Sequence, residues 1–269
     1  MLSVVNVVWN PVEWKTFWKR LDNLGKDWPI TENTSPYLIV ILQCILFSML
    51  LILQSNEDLW NIILFTKVTF TTIVQALHYD VICVLVLIVK EKARLVNKSL
   101  MAGEVKAKQL RKVTNFYNEL HDFIRQFSGF YSWQILLTFL ACFLNLLYVI
   151  GFKMLHNDDE RIAGVTWTLV ASVSVFHSLM GPFVITFCCD TTKTEFRKIF
   201  KTCYNLEQSA VYTNEDKKEL KLLVEQFTTD PPVFTAAGFF EINRSNLMSF
   251  FSSTAMYILV IIQLRNHKF

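Results

Sequence analysis

Long apolar runs alternate along this chain with basic, periodically patterned segments, and the two kinds of stretch predict different elements. Five runs approach the about 20 mostly apolar residues that a helix needs to cross a bilayer. They are Tyr37–Leu53, Thr66–Val89, Trp133–Phe152, Ala163–Cys188 and Leu247–Leu264, the second interrupted by "ALHYD" at 76–80. Between them, Leu110, Val113, Tyr117, Leu120, Ile124 and Phe127 recur every three or four residues, the stripe of a helix that packs along one face. Phe196, Ile199, Phe200 and Cys203 repeat the pattern. Thr213, followed three residues later by Asp216, resembles a capping box opening a helix through Leu220, Leu223, Val224 and Phe227. "TTDPPV" then ends that helix at Pro231-Pro232, because proline lacks a backbone donor and clashes with the preceding turn. The expected fold is an all-α, multi-pass transmembrane bundle whose helices continue into a packed cytosolic anchor.

Composition agrees. The chain has 269 residues, 52% hydrophobic and 18% charged, where a soluble domain has about a quarter charged. Glycine and proline are scarce, at 7 and 6 residues, which suits long helices. The apolar start "MLSVVNVVW" lacks a basic lead and is too short to span, so it does not read as a signal peptide.

Charge sets the orientation, because lysine and arginine stay on the cytoplasmic side. Segments 1–36, 90–131 and 189–246 together hold 21 of the 26 basic residues. The opposite side holds four, Lys153, Arg161, Arg265 and Lys268, and Lys67 lies in or beside the second run. The expected order is therefore a cytoplasmic segment 1–36 and four spans within 37–188, with a cytosolic loop at about 90–131. Cytosolic anchor helices at 189–246, a last span at 247–264 and an extracellular tail at 265–269 complete it. The sequons at Asn33, Asn97 and Asn243 all fall on the cytoplasmic side, so none is expected to carry sugar.

Catalytic patterns are missing. There is no GxSxG, no glycine-rich phosphate loop and no HExxH, and the five histidines do not pair at metal-ligand spacing. The chain does not read as an enzyme, and no cofactor, metal or nucleic acid is expected. Its six cysteines read as small hydrophobes, with acylation of Cys188-Cys189 at a membrane face as the alternative. His78, Asp80 and His177 fall inside apolar runs, where ionisable groups face protein or water. They serve a ligand cavity or gate, or they hydrogen-bond between helices.

In the last run, steps of three, four and seven gather Ser249, Ser253, Met256, Val260 and Gln263 on one face, with Tyr257, Ile261 and Leu264 turned away from it. A modestly polar stripe must be hidden from lipid. Either several copies surround a pore, with Val260 as an apolar constriction and Gln263 at the mouth, or Ser and Gln fasten this helix to its neighbours.

The approach "FTAAGFFEINRSNLMSFFSSTAMYILVIIQL" (Phe234–Leu264) resembles the C-terminal signature of insect gustatory receptors. Gly238, Phe239, Phe240 and Asn243 match its lead-in, and Tyr257, five apolar residues and Gln263 match its ending. Met256 and Leu264 replace the usual Thr and Phe. "ARLVNKSL" (Ala93–Leu100) resembles the inner end of that family's fourth helix, and "WNPVEWKTFWKRLDNL" (Trp9–Leu24) the loop before its third. The family has seven spans, so the five here correspond to its third to seventh, with the first two missing.

This resemblance implies a taste receptor subunit in the plasma membrane, a ligand-gated non-selective cation channel assembled as a homo- or hetero-tetramer with other gustatory receptor subunits. A sugar or bitter tastant would bind in the outer half and splay the last helices apart at Val260 and Gln263. Lys67, Thr71, Asn145, Tyr148, Trp167 and Ser172 are the pocket candidates, with ordinary packing as the alternative for each. Two other readings are a truncated, non-conducting or modulatory subunit and a different multi-pass membrane receptor.

Overall fold

The computed structural model describes residues 15–17, 19, 59–101, 107–155, 161–208 and 213–266. Three long helices dominate: α1 (Leu59–Met101), α2 (Ala107–Leu155) and α3 (Arg161–Gln208). Then come α4 (Asn214–Thr229), a hairpin of β1 (Thr235–Ala236) and β2 (Phe240–Glu241), and α5 (Arg244–Asn266). The expected runs 66–89, 133–152, 163–188 and 247–264 each lie inside one helix, respectively α1, α2, α3 and α5. Tyr37–Leu53, most of 1–36 and the end of the tail lie outside the described residues. The stripe ending at Phe127 and the apolar run beginning at Trp133 belong to a single helix, α2, and nothing in the five residues between breaks it.

At 1.5 Å per residue, the 49 residues of α2 reach roughly 70 Å, more than twice the about 30 Å hydrocarbon layer of a bilayer. The surplus length packs against protein. The chain divides into two compact units: one draws on Leu85–Leu136 and Phe187–Asn243, the other on Leu137–Thr186, α5 and the part of α1 up to Val84.

In the first unit every member of the α2 stripe from Leu110 to Phe127 is buried. Phe196, Ile199 and Cys203 of α3 and Leu220, Leu223 and Phe227 of α4 meet it. Tyr117 is the hub, its ring 4.1 Å from Phe227 and edge-on to Phe196. Its hydroxyl donates to the Asp230 carbonyl just past the end of α4. Phe17, from the start of the chain, stacks on Phe123 at 4.8 Å. Each such ring contributes about 1.5–3 kcal/mol by leaving water.

α4 opens as its sequence requires. The Thr213 side chain accepts from the Asp216 N–H while the Asp216 carboxylate accepts from the Thr213 N–H. The helix closes at Asp230, ahead of the two prolines. Arg111 pairs with Glu219 at 2.9 Å, and Thr202 donates to the Asn97 amide oxygen at 2.8 Å. Asn97 is therefore a buried structural group, with no room for the glycan its sequon would otherwise invite. Lys92 is 1% exposed, and burial holds its ammonium below the ordinary lysine value.

The second unit turns on a close approach of α1 and α3. A Cβ on Gly181 would fall 2.6 Å from Tyr79 Cε2 and 2.8 Å from Cζ, so only glycine lets this ring seat. Tyr79 is held in turn by a hydrogen bond with Thr138 of α2. Pro182, the next residue, lies inside α3 and removes one rung of its backbone ladder. The Asp80 Oδ2, His177 Nε2 and Thr186 Oγ1 atoms are buried with no hydrogen-bond partner among the described residues.

Cys83, Cys142, Cys188, Cys189 and Cys203 are all buried, and no disulfide joins any two of them. Cys188 and Cys189 thus face protein rather than a membrane surface, which removes the acylation reading. Burial pushes the Cys203 thiol up to about 12. A thiol whose folded value is raised favours the folded state less as pH climbs past the ordinary thiol range.

Two outcomes are expected. Gly181→Ala lowers the thermal midpoint of the detergent-solubilised protein by the equivalent of about 1–3 kcal/mol, and does so less in a Tyr79→Leu background. Maleimide at about pH 8 leaves Cys188, Cys189 and Cys203 unmodified, by peptide mass spectrometry, until the protein is denatured.

Candidate functional site

The segment from Phe234 to Gln263 is built in three steps. First comes the hairpin, in which Thr235 pairs with Glu241 and Ala236 with Phe240. Its turn is closed by the Phe239 N–H donating to the Ala236 carbonyl at 3.0 Å. Ala237 and Gly238 occupy the centre at φ 51° and 76°, the left-handed signature of a tight hairpin turn. Nothing lies within 4 Å of a Cβ placed on Gly238, so backbone conformation rather than crowding demands glycine there. This hairpin lies within 189–246, the segment expected to hold the anchor helices, just past the expected proline stop.

Second, the hairpin is fastened. The Ile242 N–H donates to the Phe234 carbonyl at 2.8 Å, and the buried Phe234 ring sits edge-on to Phe127 of α2. Lys193 of α3 forms an ion pair with Glu241 of β2. Asn243 then leads directly into α5.

Third is α5 itself. Leu247 and Thr254 are its buried residues, and the Thr254 hydroxyl donates back to the Phe250 carbonyl at 2.8 Å. Phe251 stacks on Phe183 at 5.1 Å, and Phe250 sits edge-on to Phe139 at 5.3 Å. At about 100° per residue, Ser249, Ser253, Met256, Val260 and Gln263 fall on the side opposite the Leu247–Thr254 stripe. All five are exposed. Tyr257 lies on the flank between the two faces, edge-on to Phe143 at 5.9 Å yet 60% exposed, and Ile261 and Leu264 beside it are also exposed. The expected second face is thus a flank rather than an inner surface. Only 11% of the apolar stretch Arg244–Leu264 is buried within the chain.

Of the pocket candidates, Asn145 is committed to protein. Its amide Nδ2 lies 2.6 Å from Ser178 Oγ and 3.2 Å from both the carbonyl and the hydroxyl of Ser174. Tyr148 and Ser172 are exposed. Lys67, Thr71 and Trp167 belong to α1 and α3, and their side chains lie outside the described ones. Among the described residues no group of three or more histidine, cysteine, aspartate or glutamate side chains could hold a metal ion.

Helices of this length and apolarity, with a last helix that the described residues barely cover, are those of a multi-pass membrane protein. The chain belongs to the 7tm chemosensory receptor family, whose profile matches residues 3–265. It is 24% identical over 162 residues to the gustatory receptor for sugar taste 43a of Drosophila melanogaster. That match takes in 60% of this chain and 37% of the relative, so it spans well under half of the relative's length. The fold is similar to that of the insect olfactory receptor OR5 from Machilis hrabei, with a TM-score of 0.65 at 13% identity, covering 94% of this chain and 68% of that one. A structure of the same receptor in complex with eugenol matches equally well.

The hairpin was the part that sequence periodicity did not reveal. Its signal is the Ala237-Gly238 pair, which becomes meaningful only once both residues are known to sit at positive φ. Gly238→Ala is expected to cost about 1–2 kcal/mol, whereas Ala237→Asn, which tolerates the left-handed region, should be neutral or stabilising. Thermal midpoints of the two variants, measured side by side, check both signs.

Proposed function

We propose that this chain is a gustatory receptor subunit, a ligand-gated non-selective cation channel of the plasma membrane that senses small sugar or bitter tastants. Four subunits, identical or mixed, surround an axis, and α5 from each lines the pore. Ser249, Ser253 and Met256 lead toward a constriction at Val260, with Gln263 at the outer mouth. The start of the chain is cytoplasmic and its end extracellular, in line with the basic residues concentrated in 1–36, 90–131 and 189–246.

The observation that carries this reading is the placement of the modestly polar stripe of α5. It lies on the side of the helix farthest from the subunit's own packing, where a second copy or water can meet it. The sugar-taste relative and the eugenol complex of the structural neighbour support a small organic molecule as the ligand class. Within the second unit, Tyr148 and Ser172 are the described candidates with exposed side chains. Asn145 acts there as a positioning group for Ser174 and Ser178.

The chain expressed alone in a cell without native chemoreceptors is expected to pass tastant-evoked cation current. Gln263→Cys and Val260→Cys should make that current sensitive to a water-soluble thiol reagent, and Gln263→Ala should change ion selectivity or conductance. Current that leaves both cysteine variants untouched would remove α5 from the conduction path. Silence of the lone chain, with current restored only alongside a full-length relative, would instead make it a modulatory subunit.

A further inference from the structure

Phe239, last of the three residues that connect the strands, is 72% exposed, although a large ring there has every reason to fold inward. It rests edge-on against Trp133, itself 57% exposed, with ring centroids 6.2 Å apart. The two rings form an apolar knob on the first unit that no described residue covers.

Where this knob stands along the helix axes follows from sequence. On α1 the apolar run gives way to Lys90, Glu91 and Lys92 after Val89. On α2 the apolar run begins at Trp133 itself. On α3 it ends at Cys188, one residue after Phe187, which is 57% exposed. α5 starts at Arg244, five residues after Phe239. These transitions mark one boundary between an apolar and a basic zone, and exposed aromatic rings stand on it. The exposed cations Arg125 and Arg197 lie farther into the basic zone, about 12 and 15 Å along α2 and α3 from Trp133 and Phe187. Aromatic rings at the boundary with basic groups beyond them form the pattern of a membrane–water interface, where amphipathic and polarisable rings are most stable.

We propose that Phe239 and Trp133 form an interfacial anchor, a two-ring wedge seated at the headgroup–acyl boundary of the bilayer on its basic face. Its occupant is the lipid itself. The wedge fixes the depth of the hairpin, and with it the depth at which α5 begins. The proposal needs only that the chain is a multi-pass membrane protein, and so stands or falls apart from ligand gating.

The test uses the full chain in phosphatidylcholine nanodiscs whose lipids carry bromine either just below the glycerol or near the chain ends. Subtracting the emission of Trp133→Phe from that of the parent isolates Trp133. A second variant, Phe239→Trp in the Trp133→Phe background, reports on the tip. Both signals are expected to lose about half their intensity to shallow bromines and little to deep ones or to aqueous iodide. Quenching mainly by iodide would place the rings in water, and quenching by none of the three would place them between copies of the chain. Either result overturns the anchor.

Discussion

A helix of roughly 70 Å cannot be hidden in a hydrocarbon layer of about 30 Å, and that mismatch organises the molecule. α1, α2 and α3 all exceed the layer, so each must change its solvent part-way along. Their surplus lengths carry stripes of Leu, Phe and Tyr that no lipid will cover, and these close on one another and on α4 around Tyr117. The first unit is a helical core built from one part each of α1, α2 and α3 together with α4 and the hairpin. Its packing obeys the hydrophobic effect, whereas the second unit, lacking that drive in lipid, is held by close approach and by polar contacts. Gly181 against Tyr79 and Asn145 against Ser174 and Ser178 are the two clearest examples.

The path from the core to α5 shows how the two regimes are joined in one chain. α4 ends where proline forces it to, and the strand after it is tied to α2 through Phe234 and Phe127. The next strand is tied to α3 through Glu241 and Lys193. Only then does the chain enter α5, whose own side chains contribute little burial. α5 begins directly after this tied hairpin, with Leu247 and Thr254 the buried residues among its described side chains. In the proposed channel this makes the family's Gly-Phe-Phe-x-Ile-Asn lead-in a structural support for the pore helix rather than part of the pore.

Much of this was legible in the sequence. The stripes on α2, α3 and α4 appeared as three- and four-residue periodicity and proved buried almost residue for residue. The capping box and the proline stop marked both ends of α4. The continuation of membrane helices beyond their apolar runs was expected, and α2 shows it as one unbroken helix. Two features were not legible. The hairpin was invisible because its strands are two residues long, too short for alternation to register. Asn145 looked like a ligand contact because a polar group in an apolar run attracts that reading, and its serine partners lie about thirty residues away on another helix. The face of α5 opposite its packing was legible as a set of residues, and its exposure in a single chain is what the structure adds.

The unbroken course of α2 has a mechanical meaning. A rigid rod of roughly 70 Å pivoted near its middle moves each tip by about 0.6 Å for every degree of tilt. Rotations too small to disturb side-chain packing at the pivot therefore become displacements the size of a bond length at the far end, without any residue between having to unfold.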